Sequence, residues 1–123
     1  SDKNYKILHA IDGYDEIALT GPAKVISKNT ETILNAEDFG VKQIQESDIF
    51  GGETVKESAE IFLKILNGKG TQAQNNVVCA NAAMAISTVE DCSILQGFEK
   101  AKESLQSGKA LISLKTLQQL SKY

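Results

Sequence analysis

The chain has 123 residues, of which 41% are hydrophobic and 24% charged, which is enough apolar side chain for one compact core. With Lys+Arg 13 and Asp+Glu 16 the formal net charge is -3, and the absence of a basic run argues against nucleic acid or an anionic membrane surface as a partner. No apolar run reaches the roughly 20 residues that cross a bilayer, and residues 1–10 do not have the pattern of a leader, so we expect a soluble, cytoplasmic protein.

Two extended regions open the chain. Residues 5–11 are apolar-rich and end at Asp12-Gly13, which is typical of a buried strand that runs into a turn. Residues 23–27 and 32–34 form a predicted hairpin around polar residues 28–31, and we expect it at the periphery. A strand buried on both faces needs neighbours. Either the first strand pairs with an unrecognised segment, or the chain is cut from a larger α/β protein whose other strands precede Ser1.

From Thr54 onward the pattern is helical. Three helix starts have the form of a capping box, in which a Thr or Ser and a Glu or Gln three residues later satisfy free backbone N–H groups. The pairs are Thr54 with Glu57, Thr71 with Gln74, and Ser93 with Gln96. Gly68 and Gly108 are predicted helix stops, because glycine readily adopts the left-handed conformation that commonly ends a helix.

Apolar faces predict how three of the helices pack. The first and third helices each have one apolar face, and the last has leucine at every third position, which makes a slowly drifting stripe. The faces consist of Val55, Ala59, Phe62 and Leu66 in the first helix, Ile94, Phe98, Ala101 and Leu105 in the third, and Leu111, Leu114, Leu117 and Leu120 in the last.

The second helix differs from the others because residues 77–86 are apolar nearly all round and mostly small. We predict that it is a central, closely packed helix. Cys79 lies in this segment, where a thiol behaves as a small hydrophobic group. Cys79 and Cys92 lack the close pairing of zinc and redox sites, so we predict that both are reduced and structural.

The most informative stretch is residues 9–22. It contains the run His-Ala-Ile-Asp-Gly-Tyr-Asp-Glu-Ile, followed by Leu-Thr-Gly-Pro. This succession of strand, Asp-Gly turn, Asp-Glu pair and Thr-Gly-Pro segment resembles the signature of the anthranilate phosphoribosyltransferase family. The similarity continues in order through residues 37–40, Gly51-Gly52, Asn67-Gly68 and residues 81–83, so that it covers most of the chain.

The resemblance implies an α/β fold, with one buried strand plus a hairpin followed by about four helices. The chain would be the carboxy-terminal part of the nucleoside phosphorylase and phosphoribosyltransferase catalytic domain. Residues 1–123 would form a single partial catalytic domain, with the strand, metal loop and hairpin in residues 1–50 and the helical part in residues 51–123. The complete protein would be a homodimer that transfers phosphoribose from phosphoribosyl pyrophosphate (PRPP) to anthranilate in tryptophan biosynthesis.

The resemblance also implies that Asp15 and Glu16 are ligands of Mg²⁺, since an acidic pair at this position of the family helps to hold the magnesium that bridges to the pyrophosphate of PRPP. Magnesium usually takes one or two carboxylates and leaves its other positions to water and phosphates. Adjacent carboxylates on a regular strand point to opposite faces, so joint coordination needs an irregular backbone, which Gly13 supplies. Without the resemblance, the pair would be interpreted as solvated turn carboxylates.

Neighbouring residues have plainer interpretations. Asp12 is expected to accept backbone hydrogen bonds in the turn, and His9 to be a strand residue rather than a general base. Ala10 and Tyr14 stand where the family commonly has Gly and Leu, and neither change removes a ligand. No residue has the character of a covalent nucleophile, so we predict no catalytic residue in this chain.

The family's Gly-Thr-Gly-Gly-Asp loop, which cradles the pyrophosphate, does not occur in this sequence, and neither do its anthranilate-binding residues. We therefore expect the chain alone to be inactive. Gly51-Gly52 is interpreted as a junction that opens the first helix. Two alternatives stay open: a diverged relative with another ribosyl acceptor or a nucleic-acid ligand, and a non-catalytic helical module whose leucine stripe contacts a partner.

Overall fold

The computed structural model describes residues 6–10, 17–27, 30–49 and 54–120. In chain order the elements are β1 (Lys6–Ala10), β2 (Ala23–Ser27), β3 (Glu31–Leu34), α1 (Val55–Leu66), α2 (Gln72–Glu90), α3 (Ile94–Gln106) and α4 (Lys109–Leu120), with 3-10 turns at Ala36–Phe39 and Glu46–Ile49. The predicted order of strand, hairpin and helices is confirmed. The predictions for Asp12, Gly13, Tyr14 and Gly51-Gly52 concern residues outside the described ranges.

The strands form one antiparallel sheet in the order β1-β2-β3. Ala23 of β2 pairs with Ala10 of β1 on one side and with Leu34 of β3 on the other. The hairpin therefore supplies the neighbour that β1 needs. Ala23 and Val25 are buried, as expected for a strand with alternate side chains on the core. The prediction that the hairpin is peripheral holds for β3, an edge strand with residues 31–33 exposed, but not for β2, whose Ala23 and Val25 belong to the core.

The predicted helix boundaries are confirmed by their hydrogen bonds. The Thr71 hydroxyl accepts from the backbone N–H of Gln74 at 3.1 Å, and the Gln74 side chain accepts from the N–H of Thr71 at 2.9 Å. The same reciprocal pair links Ser93 and Gln96, and the Thr54 hydroxyl accepts from the N–H of Glu57. Gly68 and Gly108 end helices at φ 78 and φ 83.

The helix α2 is the central helix, as predicted. Ala80 and Ala83 are 0% exposed, and α3 packs closely against them, because a Cβ added at Gly97 would lie 2.8 Å from the Ala83 carbonyl oxygen. The apolar face predicted for α3 is also confirmed, since Phe98, Ala101 and Leu105 are buried. Among the described residues no single helix could cross a membrane by length and hydropathy; α2 and α3 meet that criterion only jointly, across a bend of 116°.

The apolar face predicted for α1 is not buried as a face. Its buried residues are Ile65 and Leu66, both in the last turn, whereas Val55 is 89% and Phe62 45% exposed. Periodicity predicted the wrong set of packed residues, because α1 meets the described core through Ile61, Ile65 and Leu66. In α4, Leu111 is half-buried, and the other side chains of the leucine stripe lie outside the described residues.

Candidate functional site

The candidate site begins immediately after the acidic pair. Asp15 and Glu16 lie outside the described residues, so their role as metal ligands stays a prediction. His9 is placed in β1, where it pairs with Lys24 across the sheet, as the strand interpretation requires. The described chain resumes at Ile17, and residues 17–19 are buried. Hydrogen bonds from other parts of the fold hold the backbone of this segment in place.

The amide side chain of Asn81 binds both backbone polar groups of Ile17. Its Oδ1 accepts a hydrogen bond from the Ile17 N–H at 2.9 Å, and its Nδ2 donates to the Ile17 carbonyl at 2.7 Å. Nδ2 also donates to the carbonyl of Val77, one turn back in α2, at 2.9 Å. Ile17 is 2% exposed, so these bonds satisfy groups that water cannot reach.

Leu19 and Thr20 are held by the loop after the first 3-10 turn. The Leu19 carbonyl accepts from the backbone N–H of Ile44 at 3.0 Å, and the Thr20 carbonyl accepts from Gln43 Nε2 at 2.8 Å. Leu19 is buried and has a φ of 65, a left-handed conformation that is uncommon for a residue with a branched side chain. Such a conformation persists only where the surroundings fix it.

The Glu-Asp-Phe-Gly motif at residues 37–40 forms a turn that places one ring, Phe39, in the core. Asp38 Oδ2 accepts from the backbone N–H of Asn35 at 2.8 Å. The buried ring of Phe39 lies 6.3 Å from that of Phe98 between centroids, a separation typical of interacting aromatic rings. Gly40 has a φ of 77, which favours glycine. This part of the family resemblance is therefore structural.

The donor chemistry of the acidic pair fits magnesium. Asp15 and Glu16 offer only carboxylate oxygens, the hard ligands that Mg²⁺ prefers, whereas zinc sites are built mainly from Cys and His. Within residues 6–10, 17–27, 30–49 and 54–120, no group of at least three His, Cys, Asp or Glu residues could hold a metal ion. The described part of the chain therefore offers no competing cluster.

Among the described residues, one titratable group has a displaced pKa, and it lies in the core. Burial raises the pKa of the Cys79 thiol above its ordinary value of 9.0, with Lys102 lowering it and Glu99 raising it. A higher pKa leaves less thiolate, the reactive form, at neutral pH. Cys79 and Cys92 are both free. The structural role predicted for Cys79 is confirmed by its burial.

Sequence reasoning did not find the contact between Asn81 and Ile17. The family resemblance includes Asn81 only as part of the Asn-Ala-Ala segment and gives it no role. A signal is nevertheless present, because Asn81 is a lone polar residue between apolar positions of the central helix. A polar group in such a place needs a hydrogen-bond partner. Its partner, 64 residues away, has no local signature.

Comparisons with known proteins agree with the described fold and show the family to which the chain belongs. The model of the glycosyl transferase family, a/b domain, matches residues 2–111. An anthranilate phosphoribosyltransferase of Flavobacterium johnsoniae is 59% identical over 118 residues, which are 96% of this chain and 36% of that protein. The chain thus spans about a third of the length of such relatives.

Two solved structures have the same fold. The crystal structure of anthranilate phosphoribosyltransferase from Thermus thermophilus superposes with a TM-score of 0.80 at 23% identity, covering 92% of this chain and 34% of that one. The enzyme from Saccharomyces cerevisiae in complex with PRPP and Mg gives a TM-score of 0.80 at 22% identity, covering 91% of this chain and 32% of that one.

Proposed function

Because this chain belongs to the glycosyl transferase family, we propose that it is part of an anthranilate phosphoribosyltransferase, which transfers phosphoribose from PRPP to anthranilate in tryptophan biosynthesis. The observation that carries the proposal is the high identity to the Flavobacterium johnsoniae enzyme along nearly the whole chain. The Saccharomyces cerevisiae enzyme of the same fold was solved with PRPP and Mg, which supports the same substrate and metal for this protein.

Asp15 and Glu16 are the proposed magnesium ligands. Magnesium held there would supply positive charge to the pyrophosphate as it leaves with negative charge developing on its oxygens. The two carboxylates would hold the ion in place and leave its other positions open to phosphate oxygens and water. Their part is electrostatic, and neither acts as a nucleophile.

The hydrogen-bonded segment of residues 17–20 supports the proposed role of Asp15 and Glu16. Residues 17–20 follow the pair directly, and the backbone groups of Ile17, Leu19 and Thr20 each bond a group on another part of the fold. A buried and hydrogen-bonded segment holds its own backbone in one place. The chain is therefore held in place directly after the pair, which suits a proposed site whose ligands must meet an ion at a set position.

The remaining parts of the proposal concern the whole protein. Residues 1–123 form one part of its catalytic domain, on the carboxy-terminal side, and the rest supplies the pyrophosphate-cradling loop and the anthranilate contacts. The complete enzyme is a cytoplasmic homodimer.

The test is an assay of the complete protein for pyrophosphate release from PRPP. We expect release that requires both anthranilate and magnesium, with phosphoribosyl anthranilate as the second product by mass spectrometry. Release with a different ribosyl acceptor and none with anthranilate would make the protein a diverged transferase. PRPP left intact with anthranilate and with a panel of nucleobases would contradict transferase activity.

A further inference from the structure

We propose that Asn81 is a positioning residue for the magnesium site, acting through the backbone of Ile17 and not by touching the ion. This inference rests on the proposed role of Asp15 and Glu16. It goes beyond that role by assigning the placement of the backbone that adjoins the pair to a side chain 64 residues further along. Asn81 lies on α2, the most deeply buried helix among the described elements.

The peptide bond between Glu16 and Ile17 connects the Asn81 contact to the proposed metal ligand. The N–H of Ile17 belongs to the peptide group that joins Glu16 to Ile17, and that group is planar, with the Glu16 Cα among its atoms. A hydrogen bond that orients the Ile17 N–H therefore orients the plane in which the Glu16 Cα lies. Since Asn81 Oδ1 accepts from that N–H at 2.9 Å, it acts one peptide group from the proposed ligand.

The second hydrogen bond between Asn81 and Ile17 restricts the rotation of the Ile17 backbone that a single hydrogen bond would allow. Nδ2 donates to the Ile17 carbonyl at 2.7 Å, so the peptide groups on both sides of the Ile17 Cα are held. The same nitrogen donates to Val77 within α2, which fixes the amide relative to its own helix. An amide side chain offers a donor and an acceptor side by side, whereas an ionised carboxylate only accepts.

A purely structural role is the competing explanation, because any buried backbone group needs a partner. The two explanations differ in what they predict for magnesium. If Asn81 only satisfies buried groups, its loss lowers stability and leaves metal affinity alone. If it positions the pair, its loss also weakens magnesium binding, as happens when partners of metal ligands are removed.

The experiment uses the complete protein with Asn81→Ala and Asn81→Asp. Asparagine replaced by aspartate keeps the acceptor and the size but loses the donor. Asn76→Ala is the matched control, because Asn76 lies in the same helix, is also half-buried, and accepts from Gln72 within that helix. The readouts are the magnesium concentration at half-maximal rate and amide hydrogen exchange of the peptide containing Ile17, measured without magnesium.

We expect both Asn81 variants to need about tenfold more magnesium, the lower end of the loss seen when a partner of a metal ligand is removed. Exchange of the Ile17 N–H should be faster in Asn81→Ala, which removes its acceptor, and Asn76→Ala should match the wild type in both readouts. Faster exchange with an unchanged magnesium requirement would make Asn81 structural only and overturn the inference. Circular dichroism reports folding, and loss of the fold in both Asn81 variants would likewise make the role structural and overturn the inference.

A variant with Asp15→Asn and Glu16→Gln, measured in parallel, separates two kinds of failure. If that variant loses its magnesium-dependent rate while Asn81→Ala keeps the wild-type requirement, the proposed metal pair stands and the inference about Asn81 fails. If the pair variant keeps the wild-type rate and magnesium requirement, the proposed metal role fails and takes this inference with it.

Discussion

Asn81 and Ile17 are 64 residues apart, yet the side-chain amide of one is bonded to both backbone polar groups of the other. The contact joins the helical part of the chain to the segment that follows the acidic pair. Because Asn81 is on α2, which also packs against α3 through Ala83 and Gly97, disturbances of helix packing should be felt at Ile17. Two predictions concern that packing.

Ala83→Leu should lower the free energy of unfolding by about 1–3 kcal/mol, because added methylenes in a filled core force neighbouring groups apart. Ala83 is 0% exposed. Ala85→Leu is the matched control, since Ala85 is exposed on the same helix and both substitutions have the same effect on helix propensity. Urea unfolding of the two variants provides the measurement. Equal midpoints would contradict the close packing of α2.

Gly97→Ala should also be destabilising, although alanine is favoured over glycine in a helix by about 1 kcal/mol. The new Cβ would lie 2.8 Å from the Ala83 carbonyl oxygen and 3.3 Å from its Cα, so the two helices must separate, at a cost of about 1–3 kcal/mol. Glu99→Gly compared with Glu99→Ala, at an exposed position of the same helix, reports the difference in propensity between glycine and alanine without packing. A melting temperature of Gly97→Ala above the wild type would contradict this contact.

Local features of this fold were predictable, and long-range ones were not. The helix starts at Thr71 and Ser93 follow from side chains three residues apart, so a short window of sequence contains both partners. The burial of α1 depends on what covers it, and its periodicity predicted a buried face where Val55 is exposed. The pairing of β1 with β2 and the bond from Asn81 to Ile17 join distant segments. For the acidic pair, only the family resemblance pointed to a metal.

The buried thiol of Cys79 predicts a pH dependence of stability. Burial raises the pKa of Cys79 above its ordinary value of 9.0, so as pH rises past 9.0 the unfolded thiol ionises first. The unfolded state is then favoured, and the free energy of unfolding falls. Thermal melts between about pH 8 and 10 should show a shallower fall for Cys79→Ala than for the wild type. Cys92→Ala, which keeps the buried thiol, should retain the wild-type slope, and identical slopes in all three proteins would contradict the prediction.

The chain of 123 residues alone should have no phosphoribosyltransferase activity. It contains the acidic pair but not the Gly-Thr-Gly-Gly-Asp loop, and holding both reactants in position accounts for about 7–11 kcal/mol of the barrier reduction available to such reactions. Pyrophosphate release by the purified chain, with PRPP, anthranilate and magnesium, should equal that of a blank with metal only. Far-ultraviolet circular dichroism confirms that the tested chain is folded. Turnover above the blank would contradict the prediction.

In the complete protein, Asp15→Asn combined with Glu16→Gln should reduce kcat/KM by at least about tenfold, or roughly 1.4 kcal/mol. The amides keep the size of the side chains but remove the charge that is proposed to hold the ion. Two carboxylates cannot fill an octahedral shell, so phosphate oxygens and water must complete it, and the loss should depend on magnesium concentration.

A matched control removes the same charge elsewhere. Glu99→Gln with Glu103→Gln neutralises two exposed carboxylates of α3, so it reproduces any effect of net charge on substrate attraction without touching the proposed site. This control should keep the wild-type kcat/KM, and both double variants should melt near the wild-type temperature, because surface changes of this kind usually alter stability by less than about 0.5 kcal/mol.

Kinetics across a magnesium titration decide whether Asp15 and Glu16 are metal ligands or solvated turn carboxylates. If the Asp15 and Glu16 variant follows the wild-type magnesium dependence, the two residues are ordinary solvated turn carboxylates, because a ligand pair cannot lose its charge and leave the ion's effect unchanged.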